Sequence, residues 1–338
     1  MVRLNYGTPR GEQASMNKKI GVIIGGVVSL LLIAYLGIGY VVYDQLSNTA
    51  GHCQRALEIN TPTHFSDASS TGVWGDFDFS PYFMPAYESV RFPSREAGIE
   101  IAGWYVEADP TAPAVILVHG LGNCKNNHSV LTPAGMLHRA GFNVLMVDVR
   151  DVGESTFENG RSAIGNNEYQ DVLGAWDWLV ETKGIPAEQI GLKGESLGAA
   201  TSMIAFSQEP RLAAIFIDSP FDNLPQIIDD ELTRSGYPTF LRHGGLLMAR
   251  LTTGDNLLAY NPYEAIEKAN GRPLFIIHGT GDVRIDVQHS YQLKERAQAI
   301  GADATFWFPE GIGHVAAART HTDIYELALL EFFSTALE

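Results

Sequence analysis

The chain has 338 residues, enough for one large domain or two small ones. Apolar residues make up 45% of it and charged residues 18%, a composition typical of a globular protein with a core, which excludes a disordered chain. Residues 1–19 hold four basic residues and one acidic residue, so of the net charge of −16 the remainder carries 19 basic against 38 acidic residues. Because so acidic a surface repels phosphate backbones, we expect no nucleic-acid partner.

An uncharged apolar stretch covers residues 20–43. As a helix it would span roughly 36 Å, at about 1.5 Å per residue, which is enough to cross the hydrocarbon core of a bilayer. Lys18 and Lys19 precede it, and three tyrosines gather toward its far end, as interfacial residues do. A cleaved signal peptide is the alternative, but its apolar region would be about 7–15 residues long. We therefore predict an uncleaved single-pass membrane anchor.

The basic residues also predict the orientation of this anchor. Four of them precede the apolar stretch, whereas Arg55 is the only one that follows soon after it. Since basic residues are retained on the cytoplasmic side, we expect residues 1–19 to be a cytoplasmic tail at the cell membrane and the large domain to lie outside the cytoplasm. Residues 44–80, rich in Ser, Thr, Asp, Gly and Pro, are predicted to be a connector with a short helix near residues 53–59.

Short apolar runs alternate with helical stretches from residue 87 onward, which predicts βαβ units and an α/β fold with a mostly parallel sheet. The first two strands are expected to form an antiparallel hairpin, and later runs such as AVILV are typical of strands that helices cover on both faces. Eight strands are predicted at residues 88–92, 99–106, 114–118, 143–147, 190–192, 213–217, 274–277 and 305–308. Helices are predicted at residues 168–182, 197–207, 287–300 and 323–335.

Residues 220–268 interrupt this alternation with two helical stretches, at 223–235 and 239–251, and no predicted strand. An insert that follows the carboxyl end of a strand lies above the binding edge of the sheet. The sequence leaves two interpretations open, a lid or wall of the site and an ordinary crossover with an extra helix.

Ser196 lies in Gly194-Glu195-Ser196-Leu197-Gly198, which has the GxSxG pattern of a nucleophile elbow. The pattern follows the strand-like run QIGLK and opens the helical stretch LGAATSMIAF, which is the context an elbow requires. The strained turn exposes the serine hydroxyl at the top of the sheet, and flanking glycines avoid clashes there. Ser196 is therefore the candidate nucleophile.

A serine hydroxyl needs a base, and that base needs an acid that fixes its tautomer. His314 follows the last predicted strand in a glycine-rich loop, and Asp282 follows the strand LFII. The order Ser196, Asp282, His314 favours a catalytic triad, with Asp286 as the alternative acid. A capping role for either aspartate at the helix near residue 287 is the competing interpretation.

An oxyanion that develops during acyl transfer needs preorganised donors. We expect the backbone N–H of Leu197 to be one, since it follows the nucleophile, and the N–H of Leu121 to be the other, in the loop after AVILV. His119 and His278 end strands and are interpreted as packing or hydrogen-bonding residues.

The chain has only two cysteines, Cys53 and Cys124, and neither a metal-ligand spacing of Cys or His nor HExxH is present. We expect no metal. A disulfide between the two cysteines is compatible with an oxidising compartment, and the sequence leaves it open.

From about residue 87 to its end the chain resembles the α/β-hydrolase family, in particular its bacterial membrane-anchored members in a dipeptidyl-aminopeptidase-like and depalmitoylase-like subgroup. Besides the triad, the matching stretches are LVHGLGN at 117–123, DVRDVGES at 148–155 and IDSPFDNL at 217–224. The resemblance implies an α/β-hydrolase fold over residues 81–338. It also implies that the three stretches are the oxyanion loop, the loop after the fourth strand and the start of the lid. Cys124 departs from the polar or basic residue common in relatives, and we expect it to line the pocket.

The residues and the resemblance together predict acyl transfer to water, without cofactor, on a small-molecule or acylated substrate. A carboxylesterase-like activity is favoured over thioester or amide cleavage by an aminopeptidase-like enzyme. A catalytically silent extracellular binding protein on the same fold is the other alternative. The oligomeric state stays open.

Overall fold

The computed structural model describes residues 10–49, 53, 60–67 and 74–338. The short helix predicted near residues 53–59 lies outside these ranges except for Cys53. The chain begins with helix α1 (Arg10–Ser47), which continues four residues beyond the predicted end of the apolar stretch. Within α1, Ser15–Ser47 is long and apolar enough to cross a membrane, with a mean hydropathy of 2.4 in a window that the rest of the protein leaves uncovered. Such a segment is compatible with a membrane anchor or with a signal sequence.

Eight strands form one sheet in the order β1-β2-β4-β3-β5-β6-β7-β8. The pairs β1–β2 and β2–β4 are antiparallel and the other pairs are parallel, which confirms the predicted hairpin and the mostly parallel sheet. The strands are β1 (Glu88–Pro93), β2 (Glu100–Val106), β3 (Ala114–Val118), β4 (Asn143–Val147), β5 (Ile190–Glu195), β6 (Ala214–Asp218), β7 (Leu274–Ile277) and β8 (Ala304–Trp307).

Helices cover both faces of this sheet. The further helices are α2 (His128–Arg139), α3 (Tyr169–Glu181), α4 (Leu197–Gln208), α5 (Leu224–Arg234), α6 (Arg242–Thr252), α7 (Glu264–Glu267), α8 (Gln288–Ile300), α9 (Ala317–Thr320) and α10 (Thr322–Ala336). Alternate side chains of β3 point to opposite faces: Val115 and Leu117 join the core under α2 and α10, whereas Ile116 and Val118 join the core under α3, α4 and α8. Burial on both faces explains the continuous apolar runs of the central strands.

The segment of residues 220–268, hereafter the lid segment, is described throughout and contains helices α5 to α7, with no strand. Helix α5 is amphipathic and turns Leu224, Ile227, Ile228 and Leu232 inward. The Asn223 side chain accepts a hydrogen bond from the backbone N–H of Gln226 and so caps the start of α5. The four inward-facing apolar residues of α5 belong to a third apolar core, which also includes Val42 and Tyr43 of α1.

Helix α1 packs on α6 of the lid segment through its last turns. Gly39 and Gly244 bring the two backbones together, since a Cβ at Gly39 would lie 2.7 Å from the carbonyl carbon of Gly244. The hydroxyl of Tyr43 forms a 3.0 Å hydrogen bond with Oγ1 of Thr253. The apolar helix therefore continues into the domain and forms part of its structure.

A disulfide between Cys53 and Cys124 joins the connector to the loop that follows β3. Cys124 is fully buried, so the expectation that it lines the pocket is wrong: its sulfur is bonded to Cys53 inside the core. Phe65, Trp74 and Phe79 of the connector are buried in the core under α2. The connector therefore packs against the domain over its described residues.

Candidate active site

Ser196 occupies a sharp turn between β5 and α4. Its backbone has φ 55° and ψ −121°, outside the regions that a side chain ordinarily adopts. The backbone N–H of Ser196 donates to the carbonyl oxygen of Asp218, which fixes the turn at the sheet edge. A Cβ at Gly198 would overlap the carbonyl oxygens of Val118 and His119. The glycine therefore allows the start of α4 to approach β3.

His314 lies between Ser196 and Asp282. Its Nε2 is 2.9 Å from Oγ of Ser196, and its Nδ1 is 2.7 Å from Oδ2 of Asp282. The three loops that follow β5, β7 and β8 thus bring together side chains separated by up to 118 residues of sequence. In the tautomer with Nδ1–H donating to the carboxylate, Nε2 accepts a hydrogen bond from the hydroxyl of Ser196.

The surroundings of Asp282 keep its carboxylate ionised. Its Oδ1 accepts hydrogen bonds from the backbone N–H groups of Arg284 and Ile285, at 2.8 and 2.9 Å. Burial opposes ionisation, but hydrogen bonds from His278, His314 and Ile285 and the charge of His314 together hold the pKa of Asp282 below its usual range. The alternative acid, Asp286, is exposed and accepts a hydrogen bond from the backbone N–H of Gln288 at the start of α8. Asp286 therefore bonds the backbone where α8 begins, whereas Asp282 is the aspartate that contacts His314.

The loop that carries His314 is held by a residue that the sequence analysis did not assign. Oγ of Ser219 accepts a hydrogen bond from the backbone N–H of Val315 at 3.1 Å and donates to Oδ1 of Asp218 at 2.9 Å. Ser219 and Val315 both have positive φ values, 53° and 49°. Ser219 lies in the stretch IDSPFDNL, so the stretch that begins the lid also positions the loop of the base.

Both other strand-end histidines make buried hydrogen bonds. Nδ1 of His119 donates to the carbonyl oxygen of Gly120 at 2.8 Å, and burial lowers the pKa of His119. Nδ1 of His278 lies 2.7 Å from Oγ of Ser290, and its Nε2 lies 3.0 Å from the carbonyl oxygen of Ile285 and 3.2 Å from Oδ2 of Asp282. His278 therefore supports the carboxylate that contacts His314.

The loop after β3, which carries the predicted oxyanion donor Leu121, is anchored to the loop after β4. The backbone N–H of Lys125 donates to Oδ1 of Asp148 at 2.8 Å, and its Nζ contacts Oδ2 of the same carboxylate at 2.5 Å. A Cβ at Gly120 would lie 3.1 Å from Cβ of Ser196, so this loop passes directly over the serine. Leu121 follows Gly120 and shares a cavity with Ser196 and Leu197.

This cavity has a volume of about 50 Å³ and is mostly apolar. Six parts of the chain line it: the end of α1, the loop after β3, the segment between β4 and α3, the serine turn with the start of α4, the lid segment and the loop that begins at Asp282. Arg284 and Glu231 form an ion pair that joins the Asp282 loop to α5. The lining side chains besides Ser196 include Leu46, Leu121, Ile164, Leu197, Phe221, Ile227, Ile228 and Ile285. Of the two interpretations of residues 220–268, the observed packing therefore favours a wall of the site.

Within the described ranges, no group of three or more His, Cys, Asp or Glu side chains is arranged to hold a metal ion.

The sheet order, the strained serine turn and the strand-end histidine and aspartate define an α/β-hydrolase fold. Residues 129–338 match the prolyl oligopeptidase family, Peptidase_S9, and the chain belongs to this family. It is therefore a hydrolase of the serine class.

The sequence is similar to proteins of bacteria and plants. The uncharacterized protein YfhR of Escherichia coli (strain K12) is 25% identical over 256 residues, which cover 74% of this chain and 81% of that protein. Acylamino-acid-releasing enzyme 1 of Oryza sativa subsp. japonica is 23% identical over 265 residues, which cover 75% of this chain and 34% of that enzyme.

Solved structures with the same fold include an esterase and a peptidase. The Pyrococcus furiosus esterase Pf2001 superposes with a TM-score of 0.62 at 20% identity, covering 78% of this chain and 96% of the esterase. The acylaminoacyl peptidase of Pyrococcus horikoshii superposes with a TM-score of 0.54 at 20% identity, covering 75% of this chain and 42% of the peptidase. At these identities the superpositions establish the fold.

Proposed function

We propose that this hydrolase cleaves a carboxylic ester through an acyl-enzyme, with Ser196 as nucleophile, His314 as general base and Asp282 as the acid that orients His314. The observation that carries the proposal is the hydrogen-bonded chain from Oγ of Ser196 through the His314 ring to the carboxylate of Asp282, at 2.9 and 2.7 Å. Both distances lie within the reach that proton transfer requires.

In the proposed reaction, His314 takes the proton of Ser196 as its oxygen attacks the ester carbonyl. The tetrahedral oxyanion accepts hydrogen bonds from the backbone N–H groups of Leu121 and Leu197, and the imidazolium is stabilised by Asp282. His314 then protonates the departing alcohol, and a water activated by the same ring hydrolyses the acyl-enzyme. Losing one oxyanion donor typically costs about 10²–10³ in rate.

The lining of the cavity supports an ester of an apolar acid. Ile227 and Ile228 of α5 and Phe221 flank Ser196, and each presents apolar surface where an acyl chain would lie. Amide cleavage, as in an aminopeptidase, is the second candidate, because the family and its structural relatives include peptidases.

The test uses the full chain in detergent micelles and a fluorophosphonate probe, which labels activated serines. Wild type is expected to be labelled, and Ser196→Ala is expected to remain unlabelled. A folded wild type that resists labelling would contradict the proposal and favour a binding protein on the same fold. Turnover of p-nitrophenyl esters well above that of aminoacyl-nitroanilides is then expected, and the reverse preference would favour the peptidase.

We further infer that α1 anchors the chain in the cell membrane with the N-terminus in the cytoplasm and the domain outside it. The disulfide Cys53–Cys124 supports this placement, because disulfides persist in oxidising compartments. Protease added to intact cells is expected to digest the domain after opening of any outer barrier. Digestion only after lysis of the cytoplasmic membrane would contradict the orientation.

A further inference from the structure

The end of α1 forms part of the wall of the catalytic cavity. Leu46, in the last turn of α1, lines this cavity together with Ser196. A second cavity of about 200 Å³ lies against the same turn, where Val42, Gln45 and Leu46 line it. The two cavities share Leu46, Leu121, Glu231 and Arg284 as lining residues, so they adjoin one another. The catalytic cavity therefore adjoins a second space that lies against α1, and the ion pair between Glu231 and Arg284 borders both.

Helix α6 runs beside α1 in the same direction. The hydroxyl of Tyr35 contacts the carbonyl oxygen of Phe240 at 3.5 Å, Gly39 meets Gly244, and Tyr43 bonds Thr253 further along. From Tyr35 to Tyr43 the axis of α1 advances about 12 Å, at about 1.5 Å per residue. Because this part of α1 belongs to the apolar stretch of residues 20–43, the start of α6 lies beside residues that a bilayer would surround, and the end of α6 lies where the stretch ends.

Next to α1, the lid segment exposes apolar side chains from just before the start of α6 to its last turn. Phe240 is 59% exposed, and Leu247 and Leu251, one helical turn apart on α6, are 44% and 64% exposed. Apolar side chains that cluster on the surface mark an interaction site, and here they adjoin a helix suited to cross a membrane. Exposed apolar side chains of the lid segment are therefore carried by elements that pack directly on the apolar helix α1.

The second cavity also carries positive charge in a protein that is otherwise acidic. Glu231 forms ion pairs with both Arg234 and Arg284, and all three side chains line the second cavity. One carboxylate shared by two guanidinium groups leaves one positive charge uncompensated within the set. Guanidinium groups bind phosphate through paired hydrogen bonds.

We propose that the substrate is a membrane phospholipid, which reaches Ser196 from the bilayer along α1 and α6, with its phosphate in the second cavity beside Arg234 and Arg284. This rests on the proposed function. In the reaction, the acyl carbon–oxygen bond of the lipid ester breaks as the bond to Oγ of Ser196 forms. The serine proton passes through His314 to the departing lysophospholipid, and water then releases the fatty acid from the acyl-enzyme.

The experiment reconstitutes the full chain in phosphatidylcholine vesicles and measures both fatty acid release and hydrolysis of the soluble ester p-nitrophenyl butyrate. Wild type is expected to carry out both reactions. The double variant Leu247→Glu/Leu251→Glu changes the apolar face of α6 and no residue that lines either cavity. We expect it to lose at least about tenfold in fatty acid release, because two carboxylates on α6 weaken the contact of this helix with the apolar part of the bilayer. Its activity on the soluble ester is expected to stay unchanged.

The matched control is Ile324→Glu/Leu327→Glu, which replaces two equally exposed apolar residues on α10, a helix that packs on the sheet. We expect this control to behave as wild type in both assays.

Wild type that cleaves p-nitrophenyl butyrate but releases no fatty acid would overturn the inference and leave the proposed function standing, whereas failure in both assays would overturn the proposed function itself. Equal fatty acid release by the α6 variant and wild type would overturn the entry route. Diacylglycerol in the same vesicles cleaved as fast as phosphatidylcholine would overturn the headgroup assignment.

Discussion

Gly39 of the apolar helix and Gly244 of the lid segment are in backbone contact, so that neither position has room for a larger side chain without a shift of one helix. The contact joins a helix at the start of the chain to one more than two hundred residues later. Together with the Tyr43–Thr253 hydrogen bond, it ties the lid segment to α1 beside the catalytic cavity.

Replacing Gly39 is therefore expected to loosen α6. In Gly39→Ala the new methyl group would lie 2.7 Å from the backbone of Gly244, and such overpacking typically costs 1–3 kcal/mol. We expect amide hydrogens of α6 to exchange about tenfold faster, measured by mass spectrometry on the full chain in micelles. Gly37→Ala is the matched control, because a Cβ there has no neighbour within 4 Å. Unchanged exchange in Gly39→Ala would show that the contact does not restrain α6.

The two neighbouring aspartates are expected to differ sharply in their effect on activity. Asp282→Asn removes the charge and the acceptor that orient His314, and loss of the acid in such a triad lowers kcat by about 10⁴. Asp286→Asn changes an exposed side chain that bonds the backbone N–H of Gln288 at the start of α8, and it is expected to keep kcat within about twofold. Steady-state hydrolysis of p-nitrophenyl butyrate by both variants checks this, and equal losses would contradict the assignment.

The disulfide is expected to stabilise the domain. Cys53 and Cys124 are 71 residues apart in sequence, and removing a disulfide that closes a long loop typically costs about 2–5 kcal/mol. Dithiothreitol should therefore lower the guanidinium midpoint of wild type. The variant Cys53→Ser/Cys124→Ser should show the lower midpoint from the outset and no response to the reductant. A reductant effect of equal size in this variant would assign the loss to another cause.

Stability is expected to depend on pH through Glu209. Burial opposes its ionisation, but hydrogen bonds from Arg211 and Arg95 outweigh burial and lower the pKa of Glu209 to about 2. Because this value lies below the ordinary 4.5, the carboxylate stabilises the folded state above pH 4.5, and that contribution is lost as the pH falls toward 2. The free energy of unfolding of Glu209→Gln should thus fall below that of wild type at pH 7 and approach it in acid. A difference independent of pH would contradict this.

The sequence was sufficient to predict the fold and the residues that meet at the sheet edge, because the signals involved are local. Ser196 carries its elbow pattern with it, and Asp282 and His314 each follow an apolar run that reads as a strand. Parallel strands end at one edge, so loops that follow them converge even where their sequences are far apart.

The predicted ends of strands and helices are less accurate where polar residues are buried in the core with hydrogen-bond or ion-pair partners. Strand β5 was predicted to end at residue 192 but extends to Glu195, because Lys193 and Glu195 are buried as an ion pair at 2.9 Å. Helix α2 was not among the predicted helices. It contains Pro133 and Gly135, which lower the helical signal, and the tertiary contacts of its buried face outweigh them.

The contacts of α1 with the lid segment were beyond prediction from the sequence. A helix that is apolar on all sides has no distinct face, so its pattern does not reveal which residues pack against protein. Leu46 follows the apolar stretch and looks like part of a connector, yet it lines the catalytic cavity. The same holds for the ion pair between Glu231 and Arg284, which depends on how two distant loops meet.

Because Leu46 belongs both to the first helix and to the wall around Ser196, the usual preparation of a soluble fragment would change the enzyme it sets out to study. A fragment that starts after residue 49 lacks that wall and exposes the apolar side of α5. Its kinetic constants would describe an opened site. The detergent used for the intact protein is likewise an experimental variable. A detergent molecule bound to the end of α1 would lie next to the catalytic cavity, which Leu46 lines, and could change the measured kinetics.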